Sequence, residues 1–341
     1  MITASPTPRL SPPTAGWREL WRDAITDAGE LLAAVGLAHR PDLLPPGDEG
    51  FPLRVPRGFV ARMRQGDAAD PLLLQVLPRA QEAATADGFS VDAVGDMASR
   101  AGHGVLHKYD GRVLLIASGS CAVNCRYCFR RHFPYGEEIA AAAQWREALA
   151  HLHADHSIRE VILSGGDPLS LATHKLQELT RGLADLPHVI RLRIHTRLPI
   201  VLPERVDDAF IDWLSALPVQ KVVVLHANHA NEFDAAVDAA CARLRAAGAT
   251  LLNQSVLLRG VNDDVDALTA LCERSFAAGV LPYYLHQLDK VQGAAHFEID
   301  DDRALELLEG LRGRLPGYLV PRLVRELPGD PSKRPIADFA R

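Results

Sequence analysis

The chain has 341 residues, of which 48% are hydrophobic and 23% are charged, and its formal net charge is −6. This length predicts one large domain with an appendage, or two domains. The negative net charge differs from the positive charge that is typical of nucleic-acid-binding proteins. No apolar run reaches the roughly 18 residues of a membrane span, and the Pro-rich start lacks the apolar core of a signal peptide. Three of the five cysteines cluster, unlike a disulfide framework. We therefore expect a soluble cytoplasmic protein without nucleic-acid or membrane partners.

Four regions are predicted along the chain. Residues 1–14 are expected to form a flexible tail. Residues 15–105 form an N-terminal helical region that Pro and Gly interrupt, with a loop over 41–56. An α/β core is predicted over 106–315, and a short C-terminal segment over 316–341 completes the chain.

The core is predicted from apolar runs that alternate with amphipathic helical stretches. The runs expected to form strands are 113–117, 160–164, 189–195, 220–226, 250–257 and 281–286. The helical stretches are 137–153, 173–185, 205–216, 232–247, 264–278 and 302–314. Continuously apolar strands joined by helices indicate parallel pairing through right-handed crossovers. The predicted fold class is α/β, either a partial six-stranded (β/α)6 barrel or a doubly wound sheet.

Polar residues follow each predicted strand. They are a cysteine-rich loop, Ser164–Asp167, His195–Arg197, His226–His229, Asn253–Ser255 and His286–Asp289. Parallel α/β folds build active sites at these carboxyl ends of their strands. The pattern therefore predicts an enzyme more readily than a binding module.

The loop after the first strand contains Cys121, Cys125 and Cys128, at spacings of four and three residues. Three thiolates hold three irons of a [4Fe-4S] cluster and leave the fourth iron open, whereas an electron-carrying cluster normally takes a fourth Cys. Zinc with His132 as fourth ligand stays as an alternative, although zinc sites more often use two separated pairs.

The cysteine loop, with Tyr127 between its last two thiols, resembles the radical S-adenosylmethionine (SAM) superfamily over about residues 110–290. This resemblance implies a [4Fe-4S] cluster whose open iron binds SAM, and a 5′-deoxyadenosyl radical that abstracts hydrogen from the substrate. Gly165, Gly166 and Asp167 then resemble the element that holds the SAM amino group. Alone, such a sequence is usually a tight turn, in which glycines allow a close approach to the backbone.

Five further strand-end residues have the right placement for the rest of SAM under this resemblance: His195, Arg197, His226, Asn253 and Gln254. Individually, each of them is equally consistent with a satisfied polar group at a barrel rim.

A closer resemblance, to the lysine 2,3-aminomutase family, covers most of the chain. The segments that carry this resemblance are Asp70–Pro78, Ser120–His132, Arg193–Pro203, Asn253–Asp263 and Pro282–Asp289. That family moves an α-amino group to the β-carbon, using SAM and pyridoxal phosphate (PLP). The resemblance implies that Lys333 carries PLP through a Schiff base.

Other residues acquire roles through the same resemblance. Arg112 matches an Arg of the PLP site, where its fixed cation suits a phosphate. His286 stands where the family often has an aromatic residue facing PLP. Without the family, Lys333 is simply an exposed loop lysine and Arg112 a surface cation, so a PLP-free radical SAM enzyme remains the alternative.

The substrate prediction rests on charge. Arg130 corresponds to the Arg that binds the substrate carboxylate through a bidentate fork. Asp289 and Glu326 match an acid pair for the distal ammonium of lysine, although the family's second acid is typically Asp. Two acids favour a substrate with a cationic side chain and repel the side chain of glutamate. By charge alone, arginine is an alternative substrate to lysine.

The chain ends eight residues after Lys333, without the zinc-binding C-terminal segment of longer aminomutases, so no zinc is expected. This short form resembles the EpmB type, which makes (R)-β-lysine for modification of elongation factor P. The resemblance thus implies an isomerase that converts L-lysine to (R)-β-lysine, with a flavodoxin or ferredoxin as electron donor. The sequence does not predict whether the protein forms a homo-oligomer.

Overall fold

A computed structural model describes residues 16–45, 47, 50–136 and 145–339. The tail predicted over 1–14, and the first residues of the helix predicted from 137, lie outside these ranges. The N-terminal region contains the short helices α1 (Trp17–Arg22), α2 (Ala28–Ala34), α3 (Arg57–Val60) and α4 (Pro71–Leu74). Asp70 caps α4, since its Oδ1 accepts hydrogen bonds from the amides of Leu72 and Leu73 at 2.9 and 3.0 Å.

Ten strands in the described residues form one sheet, in which each strand pairs with its neighbours in the chain. They are β1 (Arg100–Gly102), β2 (Val105–Tyr109), β3 (Arg112–Ser118), β4 (Glu160–Gly165), β5 (Arg191–Thr196), β6 (Gln220–Leu225), β7 (Ala249–Val256), β8 (Leu281–His286), β9 (Arg322–Arg325) and β10 (Arg334–Pro335). Strands β3 to β9 are parallel. The antiparallel strands β1, β2 and β10 lie at the two edges.

Helices connect the parallel strands. They are α5 (Trp145–Ala154), α6 (Thr173–Leu183), α7 (Leu198–Val201), α8 (Asp208–Ala216), α9 (Ala235–Ala246), α10 (Val265–Ala277) and α11 (Asp301–Arg312). Buried Leu residues of α6, α9 and α10 join the core of the sheet. No helix in the described ranges has the length and apolar character to cross a membrane.

The predicted strands correspond to β3 through β8, and the α/β class is confirmed. The structure adds β9, a parallel strand of four residues whose Leu323 pairs with Leu285 of β8. Strand β10 then folds back on β9, with Arg334 opposite Arg325. This pairing places the C-terminal segment against the barrel, with Glu326 just after β9 and Lys333 just before β10.

Candidate active site

A cavity of about 830 Å³ lies inside the sheet. Because residues of β2 to β5 and β7 to β9, together with His226 just after β6, line this one cavity, the sheet curves around it as a partial barrel. Every predicted site residue lines it: Arg112, Cys121, Cys125, Cys128, Arg130, Gly165, Gly166, Asp167, His195, His226, Gln254, His286, Asp289, Glu326 and Lys333.

The cysteine loop is fastened to the N-terminal region through buried charges. The Arg126 and Arg131 guanidinium groups both donate to the carboxylate of Glu82, from Arg126 Nε at 2.7 Å and from an Arg131 Nη at 2.8 Å. Arg126 and Glu82 are buried. Within the loop, the Cys128 amide donates to the Cys125 carbonyl at 3.1 Å. The helical region therefore fixes where the thiols enter the cavity.

The three thiols are free and line the cavity together. His132, the other zinc ligand considered, has its Nε2 3.0 Å from the carbonyl oxygen of Gln292. In the described ranges no three His, Cys, Asp or Glu side chains form a group that could hold a metal ion. The contact with Gln292 directs His132 Nε2 to a backbone oxygen, which weighs against His132 as a fourth zinc ligand.

Arg197 places a buried positive charge beside the cysteine loop. Its guanidinium donates to the Cys125 sulfur at 2.7 Å and to the Tyr127 hydroxyl at 2.5 Å. It also donates to Gln75 Oε1 at 2.7 Å and to Glu232 Oε2 at 2.9 Å. A cation at this distance stabilises negative charge on a cysteine sulfur.

The glycines after β4 allow two backbone segments to cross. The Gly166 amide donates to the Ser118 carbonyl at 2.6 Å, and the Asp167 amide donates to the Ser120 carbonyl at 2.8 Å. A Cβ on Gly165 would lie 2.5 Å from the Ser118 oxygen, and one on Gly166 2.6 Å from the Ser120 oxygen. The close approach that requires glycine is therefore made by the chain entering the cysteine loop.

Asp167 holds the ends of β4 and β5 together. Its oxygens accept hydrogen bonds from the Thr196 hydroxyl at 2.7 and 2.9 Å and from the amides of Arg197, Leu198 and Leu169 at 2.7, 3.1 and 2.9 Å. Burial nevertheless raises the pKa of this carboxyl to about 6. Protein donors thus occupy the Asp167 carboxylate, and the role of Gly165, Gly166 and Asp167 toward the SAM amino group stays a prediction.

Three histidines line the cavity with Gln254: His286 is buried, and His195 and His226 are half-buried. His226 Nε2 lies 2.9 Å from Gln254 Nε2, and the His195 and His226 rings meet edge to face at 6.1 Å. In the described residues, the Nε2 atoms of His195 and His286 have no hydrogen-bond partner. Burial lowers the pKa of all three imidazoles, to about 3 for His226. Neutral, unpartnered ring nitrogens in a cavity are suited to hydrogen bonding with a ligand.

A chain of alternating charges crosses the other side of the cavity. Arg130 Nε donates to Asp96 Oδ2 at 2.6 Å, and Lys108 Nζ lies 2.7 Å from Asp96 Oδ1. Lys108 Nζ also donates to Glu326 Oε1 at 2.9 Å, and Lys333 Nζ donates to the second oxygen of Glu326. The predicted carboxylate-binding Arg130 is thereby connected to the predicted cofactor-binding Lys333.

The two predicted substrate acids differ in their environments. Burial opposes ionisation of Glu326, but Lys333 and Lys108 hold its pKa below the usual range. Burial, with Glu326 nearby, raises the pKa of Asp289 to about 7. Asp289 Oδ1 has no hydrogen-bond partner among the described residues. Glu326 is therefore a fixed carboxylate, and Asp289 is the acid left open to a ligand.

Sequence reasoning missed Asp96 and Lys108. Lys108 had one signal, since it is one of only five lysines in the chain. Asp96 precedes the core in a segment without a motif. Its part in the site appears only when the segment before β1 packs beside β2.

Comparison with known proteins agrees with this geometry. Residues 115–271 match the model of the Radical SAM superfamily. Among solved structures, a radical SAM methyltransferase from Sphaerobacter thermophilus gives a TM-score of 0.48 at 19% identity, covering 65% of this chain and 68% of that one. The family match includes all three cysteines of the loop, so the chain contains a radical SAM domain.

Similar proteins identify the family to which the chain belongs. The L-lysine 2,3-aminomutase of Escherichia coli (strain K12) is 47% identical over 328 residues, covering 96% of each chain. That of Haemophilus influenzae is 46% identical over 323 residues, covering 94% of this chain and 96% of the relative. The chain belongs to the lysine 2,3-aminomutase family and is an isomerase. The radical SAM match confirms two of the predicted cofactors, the [4Fe-4S] cluster and SAM.

Proposed function

We propose that this protein converts L-lysine to (R)-β-lysine in a radical SAM reaction that depends on PLP. One juxtaposition carries the proposal: a single cavity brings the three thiols of the cysteine loop together with the amine of Lys333. An iron–sulfur cluster and a covalently held carbonyl cofactor would therefore face one substrate.

The cluster side is assigned to Cys121, Cys125 and Cys128. When bound, the cluster supplies the electron that splits SAM, and PLP holds the substrate nitrogen during its migration. For SAM we assign the backbone of the loop at Gly165 and Gly166, because the Asp167 carboxylate has its own donors. Three side chains complete the SAM assignment: His195, His226 and Gln254.

The PLP side is assigned to Lys333, Arg112 and His286. The Arg112 guanidinium lies 4.5 Å from the centroid of the Tyr109 ring, which holds its cation at the cavity wall for a phosphate. His286 is buried with an unpartnered Nε2, which suits a hydrogen bond to the cofactor or a stacking contact with its ring.

The substrate is assigned from the charges at the cavity wall. Arg130 has a fork suited to the α-carboxylate. Asp289 and Glu326 present negative charge to the distal ammonium of lysine and repel the side chain of glutamate. Arginine carries the same charge as lysine, so the experiment includes it.

The test uses protein reconstituted anaerobically with iron, sulfide, SAM and PLP, and supplied with a reductant. Lysine, arginine and glutamate are incubated separately, and β-amino products are identified by chiral chromatography and mass spectrometry. We expect (R)-β-lysine from lysine alone. A β-amino product from arginine alone would change the substrate. SAM cleavage without any β-amino product, in protein that binds no PLP, would favour a PLP-free radical SAM enzyme.

The cellular role is proposed from the resemblance of the short form. We assign the β-lysine to modification of elongation factor P in the cytoplasm, with a flavodoxin or ferredoxin as electron donor. The mass of elongation factor P from cells with and without this gene tests the assignment. An unchanged mass would refute it.

Sedimentation velocity of the reconstituted protein tests for a homo-oligomer.

A further inference from the structure

Lys108 on β2 places an ammonium group among three oxygen atoms inside the barrel. Its Nζ donates to the Val94 carbonyl at 2.8 Å and to Glu326 Oε1 at 2.9 Å, and it lies 2.7 Å from Asp96 Oδ1. Two hydrogen bonds and one ion pair therefore surround this ammonium group with three oxygen atoms. Only 15% of the side chain is exposed. Such an arrangement fixes the position of this charge, in contrast to a solvated surface lysine.

This one ammonium connects the residues proposed for both ends of the substrate. Through Asp96 it reaches Arg130, whose Nε donates to Asp96 Oδ2 at 2.6 Å. Through Glu326 it reaches the acid proposed for the distal ammonium. The second oxygen of Glu326 accepts from Lys333.

We propose that Lys108 is a positioning residue for the substrate: it keeps Glu326 ionised and oriented when Lys333 is engaged by the cofactor. The proposal rests on the proposed function. Once the Lys333 amine is attached to PLP, it no longer offers Glu326 a free ammonium, and Lys108 remains as the lysine that neutralises this acid. The other ionisable groups that interact with Glu326 are Tyr109 from β2, Arg130 after the cysteine loop, His286 of β8 and Asp289 after β8.

The reason lies in the neighbouring acid. Without a cation on Glu326, two buried carboxyl groups in one site favour sharing a proton over both being ionised. The site would then present less negative charge to the distal ammonium of lysine. Loss of Lys108 should therefore weaken recognition of that ammonium in particular, and leave recognition of the rest of the substrate in place.

Two variants and a matched pair of ligands test the inference. K108Q keeps a hydrogen-bond donor without the charge, and K108R restores the charge. Binding of lysine and of 2-aminohexanoic acid, which has the same carbon chain without the distal ammonium, is measured by equilibrium dialysis. The protein carries cluster, SAM and PLP, and no reductant is added, so that nothing turns over. K290Q is the control, because Lys290 pairs with Glu298 and its side chain is 44% exposed.

We expect K108Q to bind lysine at least about 30-fold more weakly than the wild type, as for truncation of a buried charge pair. K108R should recover most of the affinity, K290Q should match the wild type, and 2-aminohexanoic acid should bind K108Q and wild type equally. In turnover, KM should rise more than kcat falls.

Wild-type affinity of K108Q for lysine would overturn the inference, and so would an equal loss for both ligands, which indicates general damage. If K108Q does not fold by circular dichroism, K108R decides alone: weak lysine binding by a folded K108R would also overturn it. Failure of the proposed function is distinguishable, because the wild type itself would then not bind PLP or lysine.

Discussion

Replacing Arg197 with Gln is expected to destabilise the protein before any cofactor is added. Only 6% of the Arg197 surface is exposed, and its guanidinium lies 2.9 Å from Glu232 Oε2, which is fully buried. Removing one partner of a buried ion pair costs about 3–5 kcal/mol, because the remaining charge is left without compensation. This is a large share of the roughly 5–15 kcal/mol that stabilises a typical domain.

Glu232 also accepts hydrogen bonds from the Asn228 amide at 2.8 Å and from Gln75 Nε2 at 3.1 Å. These neutral donors do not replace the cation, so the lower end of the range is the conservative expectation. The double variant R197Q/E232Q leaves no unpaired charge at this position. It should therefore be more stable than R197Q alone, with a non-additive coupling between the two sites.

The assay is urea unfolding of metal-free protein, followed by circular dichroism and extrapolated linearly to water. R312Q serves as the control, because Arg312 pairs with Glu309 on the solvent side of α11, with 54% of its side chain exposed. Such a pair contributes about 0–1 kcal/mol. A loss below about 1 kcal/mol in R197Q, or a double variant as unstable as the sum of the single ones, would refute the reasoning.

Four further predictions concern the site. Cys125→Ala should lose iron and SAM cleavage, and iron at the wild-type level would contradict the cluster assignment. Lys333→Ala should lose PLP absorbance and aminomutase activity while keeping its iron, and a borohydride-reducible PLP linkage retained in that variant would exclude Lys333. Gly166→Ala should lower the thermal midpoint and iron content, because its Cβ would lie 2.6 Å from a backbone oxygen, whereas Gly317→Ala has nothing within 4 Å and should change neither. Asp289 has its pKa raised to about 7, so affinity for lysine should fall as the pH drops through 7 and protonates this acid. In Asp289→Asn the step near pH 7 should vanish, and a step that persists would assign it to another group.

The sequence predicted the strands from their apolar runs and from the regular alternation of β3 to β8 with helices. Strand β9 lacks such a run. It has four residues, Arg322–Arg325, of which two are charged, and it is recognised only through its pairing with β8. The pairing of β10 with β9 likewise brings Lys333 to Glu326, a contact that no local pattern indicates.

The predicted site residues all line one cavity, because each follows a strand or lies in a motif that the fold directs inward. Their hydrogen-bond partners were less predictable. The Asp167 carboxylate is occupied by the backbone after β5, and Glu326 is held by Lys108 from β2. Both partners are distant in sequence from the residues that they contact. A motif specifies which residue types are present, but it does not specify which of these residues pair with each other in the fold.

Migration of the amino group is the central claim, and isotope labelling tests it most directly. Reconstituted, reduced protein is incubated with lysine that carries ¹⁵N at the α-amino group and ¹³C at the β-carbon, and the product is followed by ¹³C NMR. We predict a new one-bond ¹³C–¹⁵N coupling at the β-carbon, since the nitrogen moves within one molecule. SAM cleavage with no such coupling, in protein that holds both cluster and PLP, would contradict the account.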